Sequence, residues 1–114
     1  MMGPIERILR DAAELHTKSP CQGHFAEGPD GMSVPPTDSR AVRFCMLGAI
    51  KHIDGRDGYR YRYGHDAEHI LEDVCERLLG GGVPKLNDGY PDLAPDAWSE
   101  AVECAHELEK AGKL

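Results

Sequence analysis

Arg43-Phe44-Cys45-Met46-Leu47-Gly48-Ala49-Ile50, written RFCMLGAI, is the stretch on which the fold turns. It is an almost wholly apolar run with a cysteine near its head. Its spacing predicts a helix from about Ser39 to Ile53, with Asp38 or Ser39 as the cap and Gly55 just past the end. Ala41, Val42, Phe44, Cys45, Met46, Leu47, Ala49 and Ile50 leave such a helix almost no polar face. A helix that is apolar all round is buried, so this one reads as central, wrapped by the others. Gly48 in its interior costs about 1 kcal/mol against alanine. The close approach of another backbone is the best reason for that glycine. Cys45, one turn earlier on the same side, then reads as a small side chain deep in the core.

Three further segments carry helical periodicity. From about Pro4 to His16, Ile5, Ile8, Leu9, Ala12 and Ala13 make one apolar stripe, and Pro4 suits a first helical position. From about Asp66 to Leu79, Ala67, Ile70, Leu71, Val74, Cys75 and Leu78 fall at alternating steps of three and one. The run Gly80-Gly81-Gly82 then ends that helix. From about Pro95 to Ala111 the stripe is Ala97 or Trp98, Ala101, Val102, Ala105 and Leu108, with Gly112 after it. Between the helices, residues 19–37 are rich in proline and glycine. Connections of that length are often functional or held down by their own packing. Residues 54–64 open with turn chemistry and then alternate tyrosine and arginine, as a short strand would. Val83 to Leu86 could form another. These segments predict a mainly α, compact single domain over residues 1–114. It has about four helices around a buried second helix, with room for a small two-stranded β element.

Composition narrows the function. The chain has 114 residues, enough for one hydrophobic core, and a formal net charge of -7. An acidic domain repels phosphate backbones, so nucleic acid is a disfavoured partner. The N-terminus, MMGPIERILRDAAELH, is charged within its first turns and lacks the pattern of a signal peptide. No apolar run approaches the roughly 20 residues that a membrane helix needs. The expected setting is the cytosol, with no membrane association. The four cysteines, at 21, 45, 75 and 104, contain no CxxC pair. In a reducing compartment they read as free thiols.

The motifs also carry a resemblance. Gln22-Gly23, then Ala41, Phe44, Cys45, Gly48 and Ala49, then Asn87-Asp88 resemble a family of short uncharacterised bacterial and phage proteins. Its pattern is a Gln-Gly element after a first helix, then Ala-x-x-[Trp/Phe]-Cys-x-x-Gly-Ala, then Asn-Asp before the last helix. The chain departs from that pattern near Gln22, where Ser19-Pro20-Cys21 stands in place of the usual aromatic. The segment after Asp88 is also longer. The resemblance implies a shared fold. It brings no established activity and therefore transfers no catalytic residues.

Four groups of residues are candidates for chemistry or binding. A cysteine near a helix start can have a lowered pKa, which makes Cys45 a candidate nucleophile. A thiol enzyme would also need a base, for which His24, His52, His65 and His69 are the choices. It would need a donor and an orienting group as well, for which Gln22 and Asn87 or Asp88 serve. About two turns inside the predicted helix, however, Cys45 would feel little of the dipole. The second group is HDAEH, residues 65–69, which matches H-x-x-E-H, a zinc motif. His65 and His69 share a helix face, but a catalytic site needs a third ligand. A solvated histidine pair is the simpler reading. The third is the alternation Tyr59 to Tyr63, YRYRY, which could stack on single-stranded nucleic acid. A surface strand with its arginines paired to local acids explains it as well. The fourth is Asn87-Asp88 before Gly89. Such residues staple turns through their side chains, and with Gln22 and Gly23 they are candidates for holding a ligand. The expected function is a non-catalytic domain that binds another protein or a small ligand, with no cofactor. The alternatives are a small thiol-dependent hydrolase or transferase centred on Cys45, and a metal-binding protein using His65 and His69.

Overall fold

Helical periodicity and a few capping contacts account for most of the architecture in the computed structural model, which describes residues 2–56 and 61–114. In chain order the elements are α1 (Pro4–Lys18), β1 (Ala26–Glu27), β2 (Arg43–Phe44), α2 (Met46–Arg56), α3 (Tyr61–Leu79), α4 (Val83–Gly89), a short 3-10 turn (Pro91–Leu93) and α5 (Ala94–Lys110). The mainly helical fold with a small two-stranded sheet therefore stands.

The stripe of α1 is buried as its spacing requires: Ile5, Ile8, Leu9 and Ala12 all face the core. The helix has no side-chain cap of its own. Glu109, near the end of α5, supplies one from across the fold. Its carboxylate accepts the N–H groups of Ile5 at 3.0 Å and Glu6 at 2.9 Å. An anion at a helix N-terminus satisfies orphan donors and matches the dipole. In α3, Ala67, Ile70, Leu71, Val74 and Cys75 are buried, while Leu78 ends the stripe at the surface. Gly80 then takes φ +75°, a left-handed conformation that stops the helix. In α5 the buried face is Ala97, Trp98, Ala101 and Ala105. Its small residues let it lie close against α1 and α3. Both of those helices also pack on α2. One continuous core joins residues of every helix with Ala26 and Phe44 of the sheet.

The second helix differs from its sequence expectation. It begins at Met46 and not near Ser39. Residues 42–45 spend backbone groups on other partners, and Arg43–Phe44 is a strand. Val42 N–H donates to Glu27 O at 2.9 Å, Phe44 N–H to Ser19 O at 2.8 Å and Cys45 N–H to Phe25 O at 3.0 Å. β1 and β2 pair antiparallel with Ala26 opposite Phe44 and Glu27 opposite Arg43. Cys45 is thus the residue that caps α2, its carbonyl accepting Ala49 N–H at 2.8 Å. The placement two turns inside a helix is corrected. The reasoning about Gly48 holds: a Cβ there would lie 1.8 Å from the carbonyl oxygen of Phe25. Met46, Ala49, Ile50 and Ile53 carry the buried face of α2.

Two short-strand expectations are also corrected. Val83 to Leu86 lies in α4, where Pro84 occupies the first turn and the Glu72 carboxylate accepts Val83 N–H at 3.0 Å. Of the tyrosine–arginine alternation, Tyr61 to Tyr63 opens α3, and the remainder lies outside the described residues. Among the described residues no helix is long and apolar enough to cross a membrane.

Candidate functional site

The long segment 19–37 is held down by its own contacts and becomes a wall. Ala26–Glu27 is paired with β2 on one side and bridged to Ser33 on the other. Arg43 donates to the Glu27 carboxylate and, at 2.8 Å, to Gly28 O. His24 Nε2 lies 2.7 Å from the same carboxylate. Those hydrogen bonds, Arg43 first and His24 second, hold the Glu27 carboxyl below its ordinary value. Further along, His52 of α2 donates its Nδ1–H to Pro36 O at 2.8 Å.

Asn87 of α4 ties this wall to the rest of the fold. It is 3% exposed, and its amide makes four hydrogen bonds. Its Nδ2 group donates to Cys21 O at 3.0 Å and to Asp88 Oδ1 at 2.8 Å. Its Oδ1 accepts Met46 N–H, the first helical donor of α2, at 3.0 Å. The second bond to Oδ1 comes from His16 Nε2 at 3.1 Å. The tautomer follows from chemistry. Trp98 Nε1–H can only donate, and it donates to His16 Nδ1 at 3.2 Å. His16 Nδ1 is therefore the acceptor, and Nε2 carries the proton given to Asn87. Burial lowers the pKa of His16 and outweighs the opposing hydrogen bond from Asn87, so the ring is neutral.

The Gln-Gly element docks on the same residues. Gln22 is exposed, and its side-chain amide donates to Asn87 O at 3.2 Å. Gly23 has φ +87°, and its N–H donates to Asp88 Oδ1 at 3.3 Å. A side chain would be strained in that conformation, which explains the glycine. The structure therefore brings Gln22, Gly23, Asn87, Asp88 and Cys45 into one region.

Between these segments lies a cavity of about 540 Å³. Its walls are mostly apolar: Phe25, Val34 and Pro36 from the loop, Leu47 from α2, and Val83 and Pro84 from α4. Cys45 and Asp88 add polar atoms. Asn87 also borders a second cavity of about 470 Å³ on its other side, next to His16 and Gln22.

Cys45 is half-buried, with Sγ accepting Gly48 N–H at 3.3 Å. Burial raises its pKa more than the backbone N–H groups of Gly48 and Leu47 lower it, so it is a thiol at neutral pH. Among the described residues no histidine hydrogen-bonds its sulfur: His24 is engaged with Glu27 and His52 with Pro36. Cys21 is buried, and its pKa is pushed up to about 11 by burial first and by neighbouring Cys45 second.

His65 and His69 stand apart from this region, exposed on α3 with their Nε2 atoms 3.1 Å apart. Glu68 points elsewhere, holding Lys51 at 3.0 Å. Among the described residues no group of three or more His, Cys, Asp or Glu side chains is gathered as a metal site. The sequence did not single out His16 or Phe25, and it read Trp98 and Leu47 only as core residues. His16 could have been found, because it continues the stripe Ile5, Ile8, Leu9, Ala12 by one more turn.

No curated protein and no solved structure matches the chain. A family model does match, over residues 2–108, so nearly the whole chain belongs to a family of unknown function, DUF6197.

Proposed function

We propose that the chain is a single, non-catalytic, cytosolic binding domain whose ligand is a small, largely apolar molecule held in the cavity beside Cys45. The observation that carries this reading is the cavity itself. It has the volume of small-molecule sites, is mostly apolar, and has a few convergent polar groups. The three sequence elements Gln22-Gly23, Cys45 and Asn87-Asp88 all contribute to its walls or bracing. The test is titration with Nile red, an apolar dye whose emission rises on leaving water. The expected result is a saturable rise at one dye per chain. That rise should be lost in Ser33→Trp, which fills the cavity from an exposed rim position, with the melting temperature unchanged. No saturable binding, or equal binding by both proteins, overturns the reading.

A thiol-dependent reaction at Cys45 is the second reading, favoured by the position of Cys45 at the cap of α2 and on the cavity wall. The raised pKa and the engagement of the neighbouring histidines weigh against it.

A further inference from the structure

We propose that the ligand of this cavity is a small organic cation, an apolar body carrying an ammonium-type head directed at Asp88. The inference rests on the cavity being the binding site and adds the chemistry of its polar end.

Charge at the cavity comes from a few groups. Among the described residues, Asp88 is the one carboxylate that lines it, and no lysine or arginine does. Two nearby cations, Arg43 and Lys51, are already engaged. Arg43 is bound to Glu27 and Gly28 O. Lys51 is paired with Glu68 and lies 5.3 Å from the centre of the Phe25 ring. His24, also on the wall, is held by Glu27. The start of α2 would favour an anion through its dipole. Most of its donors are engaged, however: Met46 N–H on Asn87 Oδ1, Gly48 N–H on Cys45 Sγ and Ala49 N–H on Cys45 O, with Leu47 N–H also directed at the Cys45 thiol. An anion would therefore meet Asp88 with no lysine or arginine among the described lining residues to offset it. A cation meets a carboxylate already fixed in place.

That fixing matters for affinity. Gly23 N–H and Asn87 Nδ2 both donate to Asp88 Oδ1. The carboxylate is thereby oriented before a ligand arrives, which spares part of the ordering cost of binding. The net charge of -7 adds a field that draws cations in general. Phe25, 48% exposed at the rim, offers apolar surface to the body of such a ligand.

The experiment compares three probes of one shape: 4-phenylbutylamine, 4-phenylbutan-1-ol and 4-phenylbutyrate. Binding is followed by calorimetry at low and high salt. The amine should bind tighter than the alcohol by roughly twofold to fivefold, the scale of a partly exposed ion pair. The acid should bind weakest. The amine's advantage should shrink at about 1 M salt, where the screening length is near 3 Å. Asp88→Asn keeps an oxygen to accept from Gly23 and Asn87, so the loop stays docked. It should abolish the amine's advantage and leave the alcohol's affinity as it was. If the alcohol equals the amine in the wild type, or the advantage survives Asp88→Asn, the cation inference is overturned while the cavity reading stands. If none of the three binds, the cavity reading falls with it.

Discussion

Replacing Asn87 by alanine should unfold much of the margin by which this fold is stable. The substitution leaves three groups without their partner: Met46 N–H, the His16 Nε2–H and Cys21 O. A buried polar group deprived of its partner costs about 1–3 kcal/mol. Asn87 borders two cavities, so water can reach some of these groups, and the lower half of that range applies. The sum is about 3–6 kcal/mol, against a total stability of about 5–15 kcal/mol for a domain. Urea unfolding followed by the fluorescence of Trp98, the only tryptophan, measures it. With a slope of about 1.5 kcal/mol per molar urea, the midpoint should drop by roughly 2–4 M. Asn87→Asp keeps the shape but turns a second carboxylate oxygen toward Cys21 O and Asp88, and should also be strongly destabilising above the carboxylate pKa. A loss below about 1 kcal/mol for Asn87→Ala would refute the reasoning, since that is the size of one ordinary net hydrogen bond.

Other consequences can be checked by similar means. His16 has a lowered pKa in the folded protein, so the unfolded chain takes up the proton first as pH falls. Stability should be full above the unfolded value of about 6.5 and decline as pH drops below it; urea midpoints across that range would show a limb that His16→Gln flattens. Glu6 also sits below its ordinary value. Burial opposes that shift, but hydrogen bonds with His106 and Arg10 outweigh it, so a separate loss should begin only near pH 4.5. Gly48→Ala should destabilise by about 1–3 kcal/mol despite alanine's better helix propensity, because its Cβ would meet Phe25 O; a stabilised variant in thermal melts would contradict this. In native buffer, iodoacetamide should modify half-buried Cys45 slowly but ahead of Cys21 and Cys75, both buried and pushed up to about 11, as peptide mass mapping over time would reveal.

The helices were the legible part of the sequence, because α1, α3 and α5 each bury one face at helical spacing. The stretch 39–50 was harder. An apolar run fits a buried helix and a buried strand equally well, and periodicity alone does not separate them. Here the run is both: Arg43–Phe44 pairs with Ala26–Glu27, and the helix starts only at Met46. That shift by one partner moved Cys45 from the core to the edge of a cavity. Alternation misled at Tyr61 to Tyr63 for a related reason, since a short period-two pattern cannot outvote the helix that follows it. Asn87 read as a local turn staple, and a staple it is. Its partners at positions 16, 21 and 46 are long-range contacts that no local pattern encodes. Gly48 is the converse case: a glycine whose cost in a helix pointed directly to the backbone that touches it.

Protection of Cys45 tests the binding account most directly, because that thiol lines the cavity. The rate of its alkylation would be measured against rising 4-phenylbutylamine, with the affinity of the same probe known from calorimetry. The account predicts that the rate falls and saturates, with a midpoint equal to the calorimetric dissociation constant. An alkylation rate unchanged at saturating probe would contradict it, since the probe would then be bound somewhere else.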